Sequence, residues 1–372
     1  MPLRTLSGKH ADARKGRGSA INPEGRFENT AREAFDDGWA HDESDADDDS
    51  RALKTQIIEE HAASIITRNQ SPDVPFTQSI NPYQGCEHGC SYCYARPTHA
   101  YRNLSPGIDF ETRIFAKVNA AELLRKELSK PSYQCEVISL GANTDPYQPA
   151  EKKLGITRGV LAVCAEFNQP VGIVTKNAMV ERDLDILAPM AAKNLVNVYL
   201  SVNNLDHELA RKLEPRCSAP ARRLQAVRTL TDAGVRTGVL VAPIIPFLND
   251  DQIEAVLEAA YAHGARDAGY VVLRLPYEVK TLFRDWLEQH YPLKAKHVMS
   301  RVHAMRGGRD NDPNFGSRMS GEGEFAVLLS KRFAIARRRI GFEERSRMLR
   351  NVALDTTLFR VPAAARGQMS LF

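Results

Sequence analysis

Three of the chain's six cysteines fall within eight positions, as Cys86, Cys90 and Cys93 in "NPYQGCEHGCSYCYARPTH", residues 81–99. Thiols clustered this way in a reducing compartment point to metal binding before disulfides. Four thiolates would close a tetrahedral zinc site or saturate an iron–sulfur cluster. Three, spaced Cys-x3-Cys-x2-Cys with no fourth nearby, suit a [4Fe–4S] cluster in which one iron stays open. An open iron can take a substrate or a second cofactor, so incomplete ligation is a catalytic signal. His88 and His99 in the same stretch keep a Cys3His zinc site as the competing assignment.

The surrounding sequence must place that loop. Short apolar runs recur at 76–80, 135–142, 171–176, 195–202, 236–244 and 269–275. Between them lie segments with apolar residues three and four apart, the helical period. Six strands alternating with helices predict parallel β/α units, either an open doubly wound sheet or a partial barrel. Chemistry in either belongs at the carboxyl ends of the strands. The cysteines directly follow the first strand. After the second comes "SLGANTDPYQPAE", where Asp145 and Glu151 are the candidates for catalytic contacts. "VTK" ends the third strand at Lys176. Cys217, in "EPRCSAP" after the fourth, is a candidate thiol at the site, while Cys164 reads as helix packing and Cys135 lies at the opposite strand end.

At 372 residues and 43% hydrophobic content, the chain can bury a large core, and its net charge of +4 implies no particular partner. Residues 1–70, charged and poor in aliphatic side chains, are expected to be largely disordered or to order against the body, with one short helix near 52–65. Residues 71–290 form the core and 291–372 a helical extension. Residues 36–50 carry eight acids and no base, whereas 331–350 carry eight Lys or Arg against two Glu. Within the basic block Arg337, Arg338 and Arg339 can contact DNA phosphates; a solvated helix face is the bland alternative. No signal peptide is visible, and no apolar run reaches the roughly 18 residues of a membrane span. A cytoplasmic protein with no membrane partner is expected.

The cysteine loop, with Tyr92 just before its last cysteine, resembles the radical S-adenosylmethionine (SAM) superfamily. The stretches "VTKNAMVERD", "YLSVNN", "LEPRCSAPARRLQAVRTLTDAGVRTGVLVAPII" and "FGSRMSGEG" resemble its spore photoproduct lyase-like, DNA repair photolyase-like branch. The resemblance implies a partial (β/α)6 barrel holding a [4Fe–4S] cluster on Cys86, Cys90 and Cys93. It further implies SAM on the open iron, an electron donor of the flavodoxin or ferredoxin class, and a 5′-deoxyadenosyl radical acting on a nucleic-acid lesion. By the same resemblance Tyr92 and Tyr94 flank SAM, Lys176 meets its carboxylate and Ser201 hydrogen-bonds it. One departure stands out: Ala142 occupies the place of the cysteine that returns a hydrogen atom in that branch. A small molecule, protein or tRNA substrate is the alternative, and a non-enzymatic iron–sulfur protein tethered to DNA or the sliding clamp is a third reading. The terminal "QMSLF" resembles sliding-clamp-binding peptides, with Gln368, Leu371 and Phe372 as its anchors.

Overall fold

The structure is a computed structural model and describes residues 16–27, 53–342 and 354–363. Ten strands occur among these residues: β1 Gln56–Glu60, β2 Ile66–Arg68, β3 Gln78–Ile80, β4 Tyr83–Gln84, β5 Arg113–Lys117, β6 Ile138–Leu140, β7 Val171–Thr175, β8 Val196–Ser201, β9 Arg236–Ile244 and β10 Asp267–Val272. Seven form one sheet in the order β10-β9-β8-β7-β6-β3-β2. Within it β3, β6, β7, β8, β9 and β10 are all parallel, and these are the six expected strands.

Burial explains both strands and helices. Every residue of β8 is buried, as a strand covered on both faces requires. Helix Ile156–Phe167 sets Ile156, Val160, Leu161, Val163, Cys164 and Phe167 against the sheet. It stops at Asn168, whose left-handed φ of 48° ends the helical run. Cys164 is thus a core side chain. Because the strands are parallel, the loops leaving their carboxyl ends gather on one side.

Three features differ from the expectation. "TQIIEE" is strand β1 and not a short helix. Its adjacent β-branched Ile57 and Ile58 favour a pleated surface, and β5 offers a parallel edge with Ile57 opposite Ile114. β1, β5 and β4 make a separate small sheet. β2 joins the large sheet antiparallel to β3. Finally, residues 18–20 of the glycine-rich amino-terminal stretch are buried.

In the carboxyl-terminal extension, helix Gly323–Ile340 buries Ala326, Leu329, Phe333 and Ala336. Its basic residues are partly committed to acids: Arg337 lies 3.4 Å from Asp267, Arg339 2.6 Å from Glu258 and Arg332 2.7 Å from Glu254. Arg338 is exposed. Gln368, Leu371 and Phe372 lie outside the described residues. No helix among the described residues is long and apolar enough to cross a membrane.

Candidate active site

The cysteine loop turns twice through glycines in left-handed conformation, Gly85 at φ 83° and Gly89 at φ 67°. A side chain at Gly89 would also meet the Glu111 carboxylate at 2.7 Å. These turns fold Cys86, Cys90 and Cys93 into a largely buried loop whose backbone is bound on several sides. The Cys86 amide donates to the Phe110 carbonyl at 2.9 Å and the Ser91 amide to that of Leu213 at 3.1 Å. Arg96, wholly buried, donates to the Cys90 carbonyl at 2.9 Å and to Glu111 at 2.5 Å. Glu111 also accepts from the Gly18 amide at 3.1 Å, which pins the amino-terminal segment across the loop. A Cβ on Gly18 would fall 1.6 Å from the Gly89 carbonyl oxygen, so only glycine permits that approach.

Ends of the neighbouring strands close around the loop. Asp145, after β6, accepts from the Thr175 hydroxyl at 2.7 Å and the Lys176 amide at 2.7 Å, at the end of β7. It also accepts from the Tyr147 amide at 2.9 Å and lies 3.3 Å from His88 Nδ1. Burial opposes charge on His88, but Asp145 and the Cys86 thiol beside it lift it to about 10. Burial likewise opposes charge on Asp145, and His88 with the surrounding donors outweighs it, leaving the carboxyl at about 2. Asp145 is therefore an ionised brace between β6, β7 and the cysteine loop.

Lys176 carries its ammonium among Cys90, Glu214, Cys217 and Asp145. Burial works against its charge, yet those groups hold it above the ordinary lysine value. No carboxylate lies within ion-pair distance of it among the described residues, so this cation is free to receive one from a ligand. The Cys217 sulfur stands 3.9 Å from that of Cys90. That contact draws the Cys90 thiol down to about 7 against burial, with help from Lys176, while burial and neighbouring thiols push Cys93 up to about 12. Lowering the thiol's pKa favours the thiolate, the form that binds iron. Beside Cys217 a cavity of about 200 Å³ opens between Glu214, Arg223 and His207.

The structure places the remaining expected side chains as follows. Glu151 is fully buried, and its carboxylate accepts from the Tyr83 hydroxyl, the Thr157 amide at 2.9 Å and Arg182 at 2.7 Å. With both oxygens engaged it fixes the start of a helix and faces no open site. Tyr92 turns inward to pack with Leu209, Leu213 and Ile245, and its hydroxyl donates to Glu214. Tyr94 alone of the pair is exposed, its hydroxyl donating to the Ala142 carbonyl. Ser201 is buried at the end of β8, and its carbonyl accepts from Arg223 at 2.8 Å. Glu214 pairs with Arg223, and Arg216 with Glu87 at 3.0 Å. His99 is committed elsewhere. It packs on Phe110 at 5.2 Å, its Nε2 lies 3.0 Å from the Arg113 carbonyl, and burial lowers its pKa to about 4. A Cys3His site through His99 is thereby removed.

Sequence reasoning passed over Arg96, Glu111 and Arg223, which are far from the cysteines in spacing or type. It also passed over Asn203 and Asn204, just beyond β8. Both are buried, and Asn203 Nδ2 and Asn204 Oδ1 have no hydrogen-bond partner in the protein. Such atoms at a strand's carboxyl end are placed to meet a ligand.

The family model described as the Radical SAM superfamily matches residues 80–260, which carry the cysteine loop and five of the six parallel strand ends. Residues 80–260 thus resemble a radical SAM domain. An uncharacterized protein of Mycobacterium tuberculosis is 37% identical over 221 residues, 59% of this chain and 65% of that one, so the chain spans just under two thirds of that relative. An uncharacterized protein of Methanocaldococcus jannaschii is 27% identical over 239 residues, covering 64% of this chain and 85% of its own. Spore photoproduct lyase shares the fold, with a TM-score of 0.56 and 17% identity over 76% of this chain and 79% of that one.

A radical SAM domain normally binds a [4Fe–4S] cluster and SAM, and the residues here bear on both. Three soft thiols on one sequestered loop suit an iron–sulfur cluster. Among the described residues no three His, Cys, Asp or Glu side chains converge as ligands of one ion would; thiolates on a cluster each take a different iron and so stand apart. Lys176 and the unpartnered amide atoms of Asn203 and Asn204 suit a polar, carboxylate-bearing cofactor. The residues fit both groups.

Proposed function

We propose that the chain is a radical SAM enzyme acting on nucleic acid in the manner of a DNA-lesion lyase. A bound [4Fe–4S] cluster and SAM would supply reductive cleavage to a 5′-deoxyadenosyl radical, with the electron from a flavodoxin- or ferredoxin-class donor. The observation that carries this reading is the Lys176 ammonium, uncommitted to any acid, beside three thiols held on one buried loop.

The protein's own groups divide the work. Cys86, Cys90 and Cys93 hold the cluster, and Arg96 with Glu111 keeps their loop folded. Asp145 fixes His88 and the Lys176 backbone, which aims Lys176 at a ligand carboxylate. The apolar wall of Leu209, Leu213, Ile245 and Leu248 around Cys90 and Tyr92 keeps water from the loop. Ala142 offers no thiol, so return of a hydrogen atom falls to Tyr94 or Cys217. Tyr94 reaches Ala142 directly, whereas Cys217 faces Cys90.

Support for nucleic acid comes from the shared fold, since spore photoproduct lyase has been solved complexed with dinucleoside spore photoproduct. Arg338 remains available for phosphate, with Arg337 and Arg339 already engaged by acids. The test is deuterium transfer. Anaerobically reconstituted protein is given reductant, SAM and oligonucleotides carrying deuterated, photodamaged thymidine. Deuterium in 5′-deoxyadenosine is expected. Unlabelled 5′-deoxyadenosine alone would direct the chemistry to a small molecule, a protein or tRNA.

A further inference from the structure

Five large aromatic side chains are exposed among the described residues: Phe27 at 47%, Tyr94 at 48%, Tyr101 at 69%, Tyr277 at 64% and Phe315 at 60%. Every one has an arginine guanidinium over its ring. Arg26 lies 4.9 Å from the Phe27 centroid, 5.4 Å from Tyr101 and 4.0 Å from Tyr277. Arg274 lies 5.6 Å from Tyr94, and Arg318 4.6 Å from Phe315. Single exposed aromatics need no explanation, but a set confined to one arginine-lined region does.

These pairs come from distant parts of the chain and meet on the side where the parallel strands end. Tyr94 and Tyr101 follow the cysteines, and Arg274 and Tyr277 follow β10. The Phe315–Arg318 segment is tied to the end of β10 by Arg306, which donates to the Leu273 carbonyl at 2.7 Å and the Arg318 carbonyl at 2.9 Å. Tyr277 holds a positive φ of 48°, a conformation unfavourable for a non-glycine residue.

Charge in the region is unevenly met. Arg26 lies 3.5 Å from Glu278, and Arg318 is paired with Asp73. Arg274 has no acid within ion-pair distance among the described residues; its one hydrogen-bond partner is the Met319 sulfur at 3.5 Å. A half-buried guanidinium without an anion is suited to a phosphate. Flat rings capped by arginines match the faces of unpaired bases, which stack on aromatics with little regard for sequence.

We propose that Tyr101 and Tyr277, with Phe27 and Arg26, form a stacking platform for unpaired bases of single-stranded nucleic acid, whose phosphate Arg274 takes. This rests on the nucleic-acid reading above and specifies its substrate form. The test is fluorescence anisotropy of full-length, cluster-reconstituted protein with a labelled oligothymidylate of about 12 nucleotides. The matching duplex and an oligouridylate run beside it. The single strand should bind more tightly than the duplex. Tyr101→Ala and Tyr277→Ala should each weaken it roughly tenfold, and Tyr101→Phe and Tyr277→Phe should not. Arg274→Gln should weaken binding and lower the salt slope by about 1. A better oligothymidylate or oligouridylate supports the platform either way and separates DNA from RNA.

Two results overturn the proposal in distinguishable ways. Duplex binding that both alanine variants leave unchanged removes the platform and keeps the nucleic-acid reading. Absence of binding to any oligonucleotide removes both, and would make the region a protein-docking face, since interfaces also favour Tyr and Arg.

Discussion

Arg96 and Arg223 are guanidiniums almost wholly out of water, and each is paired with an equally buried acid, Glu111 and Glu214. Removing one partner from such a pair strands the other charge, at a cost of about 3–5 kcal/mol. Arg96→Met and Arg223→Met should each lower the unfolding free energy by that much, read as a lower urea midpoint at unchanged slope, and Arg96→Met should also reduce iron bound per chain. His99 adds a pH dependence. Burial lowers its pKa to about 4, so the folded state keeps it neutral while an unfolded chain protonates near the ordinary 6.5. Its contribution is complete above the ordinary value and is lost as pH falls from there toward 4, at about 1.4 kcal/mol per unit. His99→Phe should flatten the fall in urea midpoint between neutral pH and pH 5; an unchanged fall would assign it to other groups. At this scale the thiols were legible because their spacing is itself the signal. Arg96, Glu111 and Arg223 were not, since an isolated charged residue in a helix reads as solvent-exposed until tertiary packing buries it.

The six parallel strands could be read from the chain because each is an apolar run bounded by polar turns, and β9 has the predicted span, 236–244. β1 and the amino-terminal segment could not. Their order comes from partners remote in sequence: the edge of β5 for one, Glu111 and Gly89 for the other. Composition alone left residues 16–27 either disordered or ordered against the body. Two expectations follow for these elements. Gly89→Ala forces a Cβ into a left-handed turn against Glu111, costing about 1–2 kcal/mol in backbone strain alone, and iron retention should fall with stability. Deleting residues 1–27 should leave melting of the parallel-sheet core largely intact while amide exchange of 85–96 accelerates. Unchanged exchange there would show that the segment does not secure the loop.

Across the molecule, the parallel sheet collects at one end the thiols, Lys176, the amides beyond β8 and the arginine-capped rings. Helix Gly323–Ile340 is spent largely on the core and on acid pairs, which changes the expectation for its arginine triplet. Replacing Arg337, Arg338 and Arg339 together by Gln should weaken oligonucleotide binding less than Arg274→Gln alone, as read by anisotropy; the reverse order would move the nucleic-acid contact to that helix. The α/β alternation foretold the sheet, but not which of the extension's arginines pair with acids, because packing of Phe333 and Ala336 on the core decides that only in three dimensions.

Everything above turns on whether this arrangement makes a radical from SAM. The direct measurement is 5′-deoxyadenosine formed by anaerobically reconstituted protein with SAM and a low-potential reductant, with the cluster followed by electron paramagnetic resonance. The product should form with the wild-type chain and disappear, together with the cluster signal, in Cys86→Ala, Cys90→Ala and Cys93→Ala. Lys176→Ala should keep the cluster and lose most of the product. An intact, reducible cluster that binds SAM but yields no 5′-deoxyadenosine would contradict the account.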